Sequence, residues 1–215
     1  MPNREMPFAG HPTLGSCASW LHSGGQPKQE GRVLQECGIG VVEIDLSGNV
    51  PGFVAPETKI EPLSAGVQNK IVDALGIDND AIIATAHLEN GPSWSAFELD
   101  SAASVLKIDS SLVQWPEFDS IGLIGAFPEG SECDYEVRML APSSGMSEDP
   151  VTGSLNAAFA QWFKARDTFD RNILVAQGTN IERQGRVYIS PDNNNPDRIL
   201  IGGNTQILIE GTLEI

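Results

Sequence analysis

Basic residues are scarce in this chain, with 13 Lys and Arg against 29 Asp and Glu and a formal net charge of −16. Phosphate recognition needs clustered Lys and Arg, and no such cluster occurs, which argues against nucleic acid or an anionic membrane surface as a partner. Cysteine is scarce too. Cys17, Cys37 and Cys133 show no C-x-x-C spacing and no nearby His pair, so neither a disulfide framework nor a zinc site is indicated. That usage fits a reducing compartment, and the chain reads as cytoplasmic. A run of about 18 apolar residues is also missing, and the first residues are polar and Pro-rich, so the sequence given reads as neither membrane-spanning nor led by a secretory signal.

What the chain does have is an unusual helix start at Glu148–Phe163, E-D-P-V-T-G-S-L-N-A-A-F-A-Q-W-F. Pro150 fixes φ, Thr152 and Ser154 carry hydroxyls able to cap, and Gly153 permits close backbone approach. Leu155, Ala158, Phe159, Trp162 and Phe163 then fall at helical spacing and form an apolar stripe wide enough to bury against a sheet. The first-turn N–H groups would face Asp149. Such an end attracts an anion, and a carboxylate held before it is a candidate for proton chemistry. Similar punctuation recurs near the start in G-H-P-T-L-G-S, where Pro12, Gly15 and Ser16 repeat the spacing of Pro150, Gly153 and Ser154. His11 then stands where Asp149 stands. Two such turns suggest a chain of two related halves, with His11 and Asp149 flanking one cleft.

Around these turns the pattern predicts strands. A helix at Thr13–His22 stops at Gly24-Gly25, and strands follow at Arg32–Glu36, Gly40–Leu46 and Val50–Ala55, the last two joined by Ser47-Gly48-Asn49. Pro51, Pro56 and Pro62 mark a crossing, and Val67–Leu75 reads as a helix closed by Gly76. Beyond it come strands at Ala81–Ala86 and Trp94–Leu99, a helix start at Ser101–Leu106, and strands at Ile121–Phe127, Tyr135–Leu140, Ile173–Gln177, Arg186–Ser190 and Ile199–Gly202. Asp192–Asp197 reads as a polar turn, and Thr205–Ile215 as a β-rich piece returning to the first half. Strands wrapped round one central helix, done twice, is the implied architecture. Residues 1–57 with 205–215 form the first half, which lacks opening strands, and 58–204 form the second. His22 and His87 read as surface or satisfied polar residues, Trp20, Trp115 and Trp162 as core or interface aromatics, and Cys17 as a small core side chain.

Four segments together resemble one family. G-H-P-T-L-G, N-G-P-x-W at Asn90–Trp94, V-R-M-L-A-P followed by E-D-P-V-T-G-S, and Q-G-T-N-I-E-R-Q-G-R-V at Gln177–Val187 look like the PhzF-like (phenazine biosynthesis-like) proteins, over nearly the whole chain. The resemblance implies an α+β, diaminopimelate epimerase-like fold: two pseudo-symmetric halves, each a mixed sheet round a central helix, here with the first half incomplete. It implies an isomerase that moves a proton on a small carboxylate substrate without metal or cofactor, often as a homodimer. His11, Asp149 and Ser154 match the positions lining the family's site. Gly10 and Gly153 would lend backbone N–H groups to the substrate, and Asn156 could reach it from the first helical turn.

One departure matters. The family's catalytic Glu lies several dozen residues ahead of the G-H-P turn, in a segment these 215 residues do not contain. Glu5 is too close to the turn to take its place, and Glu148 belongs to the second motif. The chain as given is therefore expected to be an impaired isomerase, since losing a general base costs about 10²–10⁴-fold in rate. Two other readings stand beside it: a non-catalytic carboxylate-binding module, and a protein that pairs with itself through the sheet edge near Val41–Val54. A two-thiol racemase is disfavoured because His11 and Asp149 occupy the turns where paired thiols would lie.

Overall fold

The computed structural model describes residues 7–112, 120–140, 147–192 and 195–212. Among these residues four α-helices are formed, α1 (Gly10–His22), α2 (Ala65–Leu75), α3 (Ala102–Leu106) and α4 (Gly153–Ala165). The strands are β1 (Arg32–Cys37), β2 (Gly40–Asp45), β3 (Gly52–Val54), β4 (Lys59–Glu61), β5 (Ile82–Glu89), β6 (Ser93–Leu99), β7 (Ile121–Ala126), β8 (Tyr135–Leu140), β9 (Ile173–Gln177), β10 (Gly185–Asp192) and β11 (Asn195–Gly202). They make one 11-stranded mixed sheet in the order β1-β2-β3-β11-β10-β9-β8-β7-β6-β5-β4. β11 pairs with β3 antiparallel, Ile201 opposite Phe53.

Two parallel pairs place the helices. β6 runs parallel to β7 across α3, and β8 parallel to β9 across α4, because a parallel return needs a crossover long enough to hold a helix. Alternation along β8 shows that the two crossovers cover opposite faces. Val137 and Met139 belong to the cluster around α4, whereas Leu140 joins Val105 of α3 and Ile71, Val72 and Leu75 of α2. α4 is buried nearly all round, including Leu155, Ala157, Ala158, Phe159 and Ala160 at 0% exposure, and it contacts β5, β10 and β11. A flat sheet would bury one stripe of a helix; a sheet curled round α4 buries every side. The stripe read from spacing is therefore only part of the buried surface.

Several sequence expectations shift. β4 forms where three prolines suggested only a crossing, as an exposed edge strand whose Lys59 and Glu61 pair at 2.9 Å. Asp192 pairs with Asn195, so the hairpin turn is tighter than Asp192–Asp197. Residues 203–212 hold no strand, although Glu210 does return to the first half, 3.3 Å from His22 Nε2. Ile207, Leu208 and Ile209 are exposed there, and no sheet neighbour fixes that stretch as a strand. Trp162 is core, whereas Trp20 is 43% exposed; Trp115 lies outside the described residues. No helix among the described residues is long and apolar enough to cross a membrane.

Candidate functional site

α1 and α4, 13 residues each, both open on glycine, and those glycines meet. A Cβ added to Gly10 would stand 2.8 Å from Gly153 Cα and 2.9 Å from the Phe53 ring, closer than real Cβ atoms approach. This contact corrects the repeat register read from spacing. Gly10 faces Gly153, so Gly15 lies in the second turn of α1 rather than at its start, and His11 is the spatial counterpart of Ser154 more than of Asp149. Gly10→Ala is expected to destabilise the fold by about 1–3 kcal/mol through overpacking. A urea melt with unchanged midpoint would show that the helix ends can part freely.

Neither helix start is capped by its side chain. Ala9 has no polar group to offer, and Thr152, expected to cap α4, makes no cap hydrogen bond. Its hydroxyl is used elsewhere. Thr152 Oγ1 donates to Asp149 Oδ2 at 2.5 Å, which leaves first-turn N–H groups of both helices without a capping acceptor. Two positive helix ends thus converge at the Gly10–Gly153 contact, an arrangement suited to an anion.

Asp149 is half-buried and tied to β8 by its backbone N–H, which donates to Met139 O at 2.9 Å. Burial pushes its carboxyl above the ordinary range, while the Thr152 hydrogen bond and the His11 charge partly oppose that. His11 is exposed, with Nδ1 3.0 Å from Val151 O. Ser154 is buried, and its carbonyl accepts from Asn90 Nδ2 at 2.9 Å. Asn156 is fully buried and turned into the wall, donating from Nδ2 to Thr152 O and Gln177 Oε1, both at 3.0 Å. Asn90 Oδ1 and Asn156 Oδ1 are buried without a hydrogen-bond partner. The turns therefore do bring His11, Asp149, Ser154, Gly10 and Gly153 together, with Asn156 just behind them.

A cavity of about 520 Å³ opens beside the helix ends, lined by Gly10, His11, Phe53, Val151, Tyr188 and Asn204 among others. Asp149, Ser154 and Asn156 do not line it, whereas His11 does. Among the described residues no group of three or more His, Cys, Asp and Glu is arranged to hold a metal. Cys17 is buried and its thiol is pushed up by that burial, in keeping with a core role.

Glu148 is not part of this constellation. Its side chain turns away to Arg138, buried at the other face of β8. The residue that spacing missed is Gln177, at the end of β9, whose amide touches Asp149 O, Thr152 and Asn156. A Gln closing the apolar run I-L-V-A-Q was the available signal, since a polar amide placed in a buried strand needs partners.

The family model described as phenazine biosynthesis-like protein matches residues 1–211. The chain belongs to that family. Among phenazine biosynthesis-like relatives, the antisense-enhancing sequence 1 protein of Schizosaccharomyces pombe is 28% identical over 226 residues, 98% of this chain and 76% of that protein. The trans-2,3-dihydro-3-hydroxyanthranilate isomerase of Pseudomonas chlororaphis is 25% identical over 220 residues, 99% of this chain and 76% of that enzyme. Of solved structures, a PhzF-family phenazine biosynthesis protein from Bacillus anthracis superposes with TM-score 0.73 at 18% identity, covering 97% of this chain and 79% of that one. A hydroxyproline epimerase from Agrobacterium vitis shares the fold more loosely, with TM-score 0.53 at 13% identity, covering 94% of this chain and 65% of the other. Members of this phenazine biosynthesis-like family thus include isomerases, on the α+β fold described above.

Proposed function

We propose that the chain is a PhzF-like isomerase that binds a small carboxylate-bearing substrate at the paired helix ends and moves a proton on it without metal or cofactor. The observation carrying this is the convergence of two uncapped helix N-termini at Gly10 and Gly153, with Asp149 and His11 beside them. Gly10, Gly153 and Ser154 supply backbone donors where a substrate carboxylate or developing enolate-like oxygen gathers charge. Asp149 exchanges the proton, and His11 hydrogen-bonds the substrate or shuttles the proton outward. Binding is the sharper test. Titration calorimetry with small cyclic hydroxy-carboxylates should give binding that His11→Ala weakens by about tenfold or more, the worth of a charge-assisted hydrogen bond. Binding indifferent to both His11→Ala and Asp149→Ala, or no binding of any such acid, overturns the reading.

A further inference from the structure

We infer that Gln177 and Thr152 form a hydrogen-bond chain of fixed polarity that reserves Oδ1 of Asp149 as the oxygen that gives and takes a proton. The inference rests on the proposed role of Asp149 but concerns two residues that nothing above has assigned to the chemistry.

The polarity follows from three backbone groups, each able to act in only one sense. Thr152 N–H can only donate, and it donates to Gln177 Oε1 at 3.1 Å. Thr152 C=O can only accept, and it accepts from Asn156 Nδ2 at 3.0 Å, so the same Asn156 amide group donates to Gln177 Oε1 at 3.0 Å. Asp149 C=O can only accept, and it accepts from Gln177 Nε2 at 3.1 Å. Both ends of the Gln177 amide are thereby assigned, with no freedom to flip. Gln177 Nε2 then also donates to Thr152 Oγ1 at 2.9 Å. The threonine hydroxyl, already receiving one hydrogen, has one hydrogen to give, and it gives it to Asp149 Oδ2 at 2.5 Å.

The consequence falls on the carboxylate. Oδ2 accepts the threonine hydrogen, which lowers its basicity, so a proton is held more tightly on the other oxygen. Oδ1 carries no hydrogen bond among the described residues and takes the proton instead. Backbone bonds from Asp149 N–H to Met139 O and from Gln177 Nε2 to Asp149 C=O hold the residue in place, and a turn of the carboxyl about its Cβ–Cγ bond only exchanges two equivalent oxygens, so one of them faces Thr152 in either case. Gln177 is fully buried and Thr152 is 7% exposed, so water does not compete for these positions. Among charged and titratable groups, His11 of α1 faces Asp149; Glu148, next in the chain and packed by β8, is bound to Arg138 instead. Gln177 and Thr152 are in this sense positioning residues, acting on a substrate only through Asp149.

The test is an NMR titration of the Asp149 carboxyl carbon in the whole chain, with Thr152→Val, Thr152→Ser and Gln177→Glu. Thr152→Val removes the donor at Oδ2, so the Asp149 midpoint should move further upward. Thr152→Ser keeps the hydroxyl and should titrate as the native chain does. In Gln177→Glu the carboxylate has no hydrogen to give and draws the Thr152 hydroxyl toward itself, so the midpoint should also rise. An unmoved midpoint in Thr152→Val and Gln177→Glu overturns the inference, as does Thr152→Ser shifting as far as Thr152→Val. Should Thr152→Val fail to fold, Thr152→Ala against Thr152→Ser decides, since Ala also lacks the hydroxyl and adds no charge. None of these outcomes depends on turnover. They are thus separable from failure of the proposed function, which carboxylate binding reads by itself.

Discussion

Arg138→Met is expected to cost about 3–5 kcal/mol of unfolding free energy, the penalty for stranding a buried charge. Arg138 and Glu148 have side chains 1% and 0% exposed and meet in a two-pronged pair, Nε to Oε1 at 3.0 Å and Nη2 to Oε2 at 2.6 Å. Nη1 adds bonds to the carbonyls of Val105 and Ile108, at 3.0 and 2.6 Å, so the guanidinium also closes the end of α3. Glu136 is the other buried carboxyl near it, but Glu136 accepts from Thr179 and burial pushes its carboxyl upward, favouring the neutral form. Met in place of Arg138 fills much of the volume and leaves the buried Glu148 carboxyl without its partner. The double variant Arg138→Met with Glu148→Leu should recover a large part of the loss, because an apolar pair of similar volume is about as stable as a buried ion pair. Full recovery is not expected, since two carbonyls still lose their donor. Urea melts at constant m-value measure both. A single-variant loss under about 1 kcal/mol would mean that water reaches Glu148.

Asp149→Asn is expected to lower substrate-dependent exchange of solvent deuterium by about 10²–10⁴-fold, the usual worth of a positioned acid or base. Asn still accepts from Thr152, so the change removes proton transfer while leaving the local bonds nearly intact. The same variant should be more stable than the native chain at neutral pH. The sign follows from linkage: the folded pKa of Asp149 is raised by burial, so its favourable contribution is present below the unfolded carboxylate pKa of about 4 and is lost as pH rises through the folded value. Asn cannot ionise and escapes that loss. Activity requiring the ionised carboxylate should rise with pH across the same window and then level off. Deuterium incorporation followed against pH, beside urea midpoints at pH 4 and pH 8, separates the two effects. Exchange within about threefold of the native rate in Asp149→Asn would remove Asp149 from the chemistry.

The outline of the site was legible because its residues are local. Gly10-His11-Pro12 and Asp149–Ser154 each carry their chemistry within a few positions, and helix starts are governed by short-range rules that a single sequence displays. The strand runs were legible for the same reason, with Ile121–Ala126 and Tyr135–Leu140 close to their expected limits. Thr152 was misread because capping and side-chain pairing compete for one hydroxyl. Spacing offers both choices, and only the position of Asp149 Oδ2 in space decides between them. The repeat register was misread because Pro-x-x-Gly-Ser matches by residue type, whereas the pseudo-symmetry is set by which backbones touch.

The sequence alone determined the two loop-to-helix turns led by His11 and Asp149, the acidic and cysteine-poor character, the run of strands and the resemblance carried by four motifs, since each depends on residues close together in the chain. Tertiary structure decided that α4 is enclosed on all sides, that Gly10 lies against Gly153, that Glu148 answers Arg138, and that Gln177 sets the polarity at Asp149. Those facts join residues 10 to 143 positions apart, as Glu148 and Gly153 are from Arg138 and Gly10. Hydrogen-bond direction and close backbone approach are properties of the folded arrangement of such groups, and no periodicity in the chain encodes them.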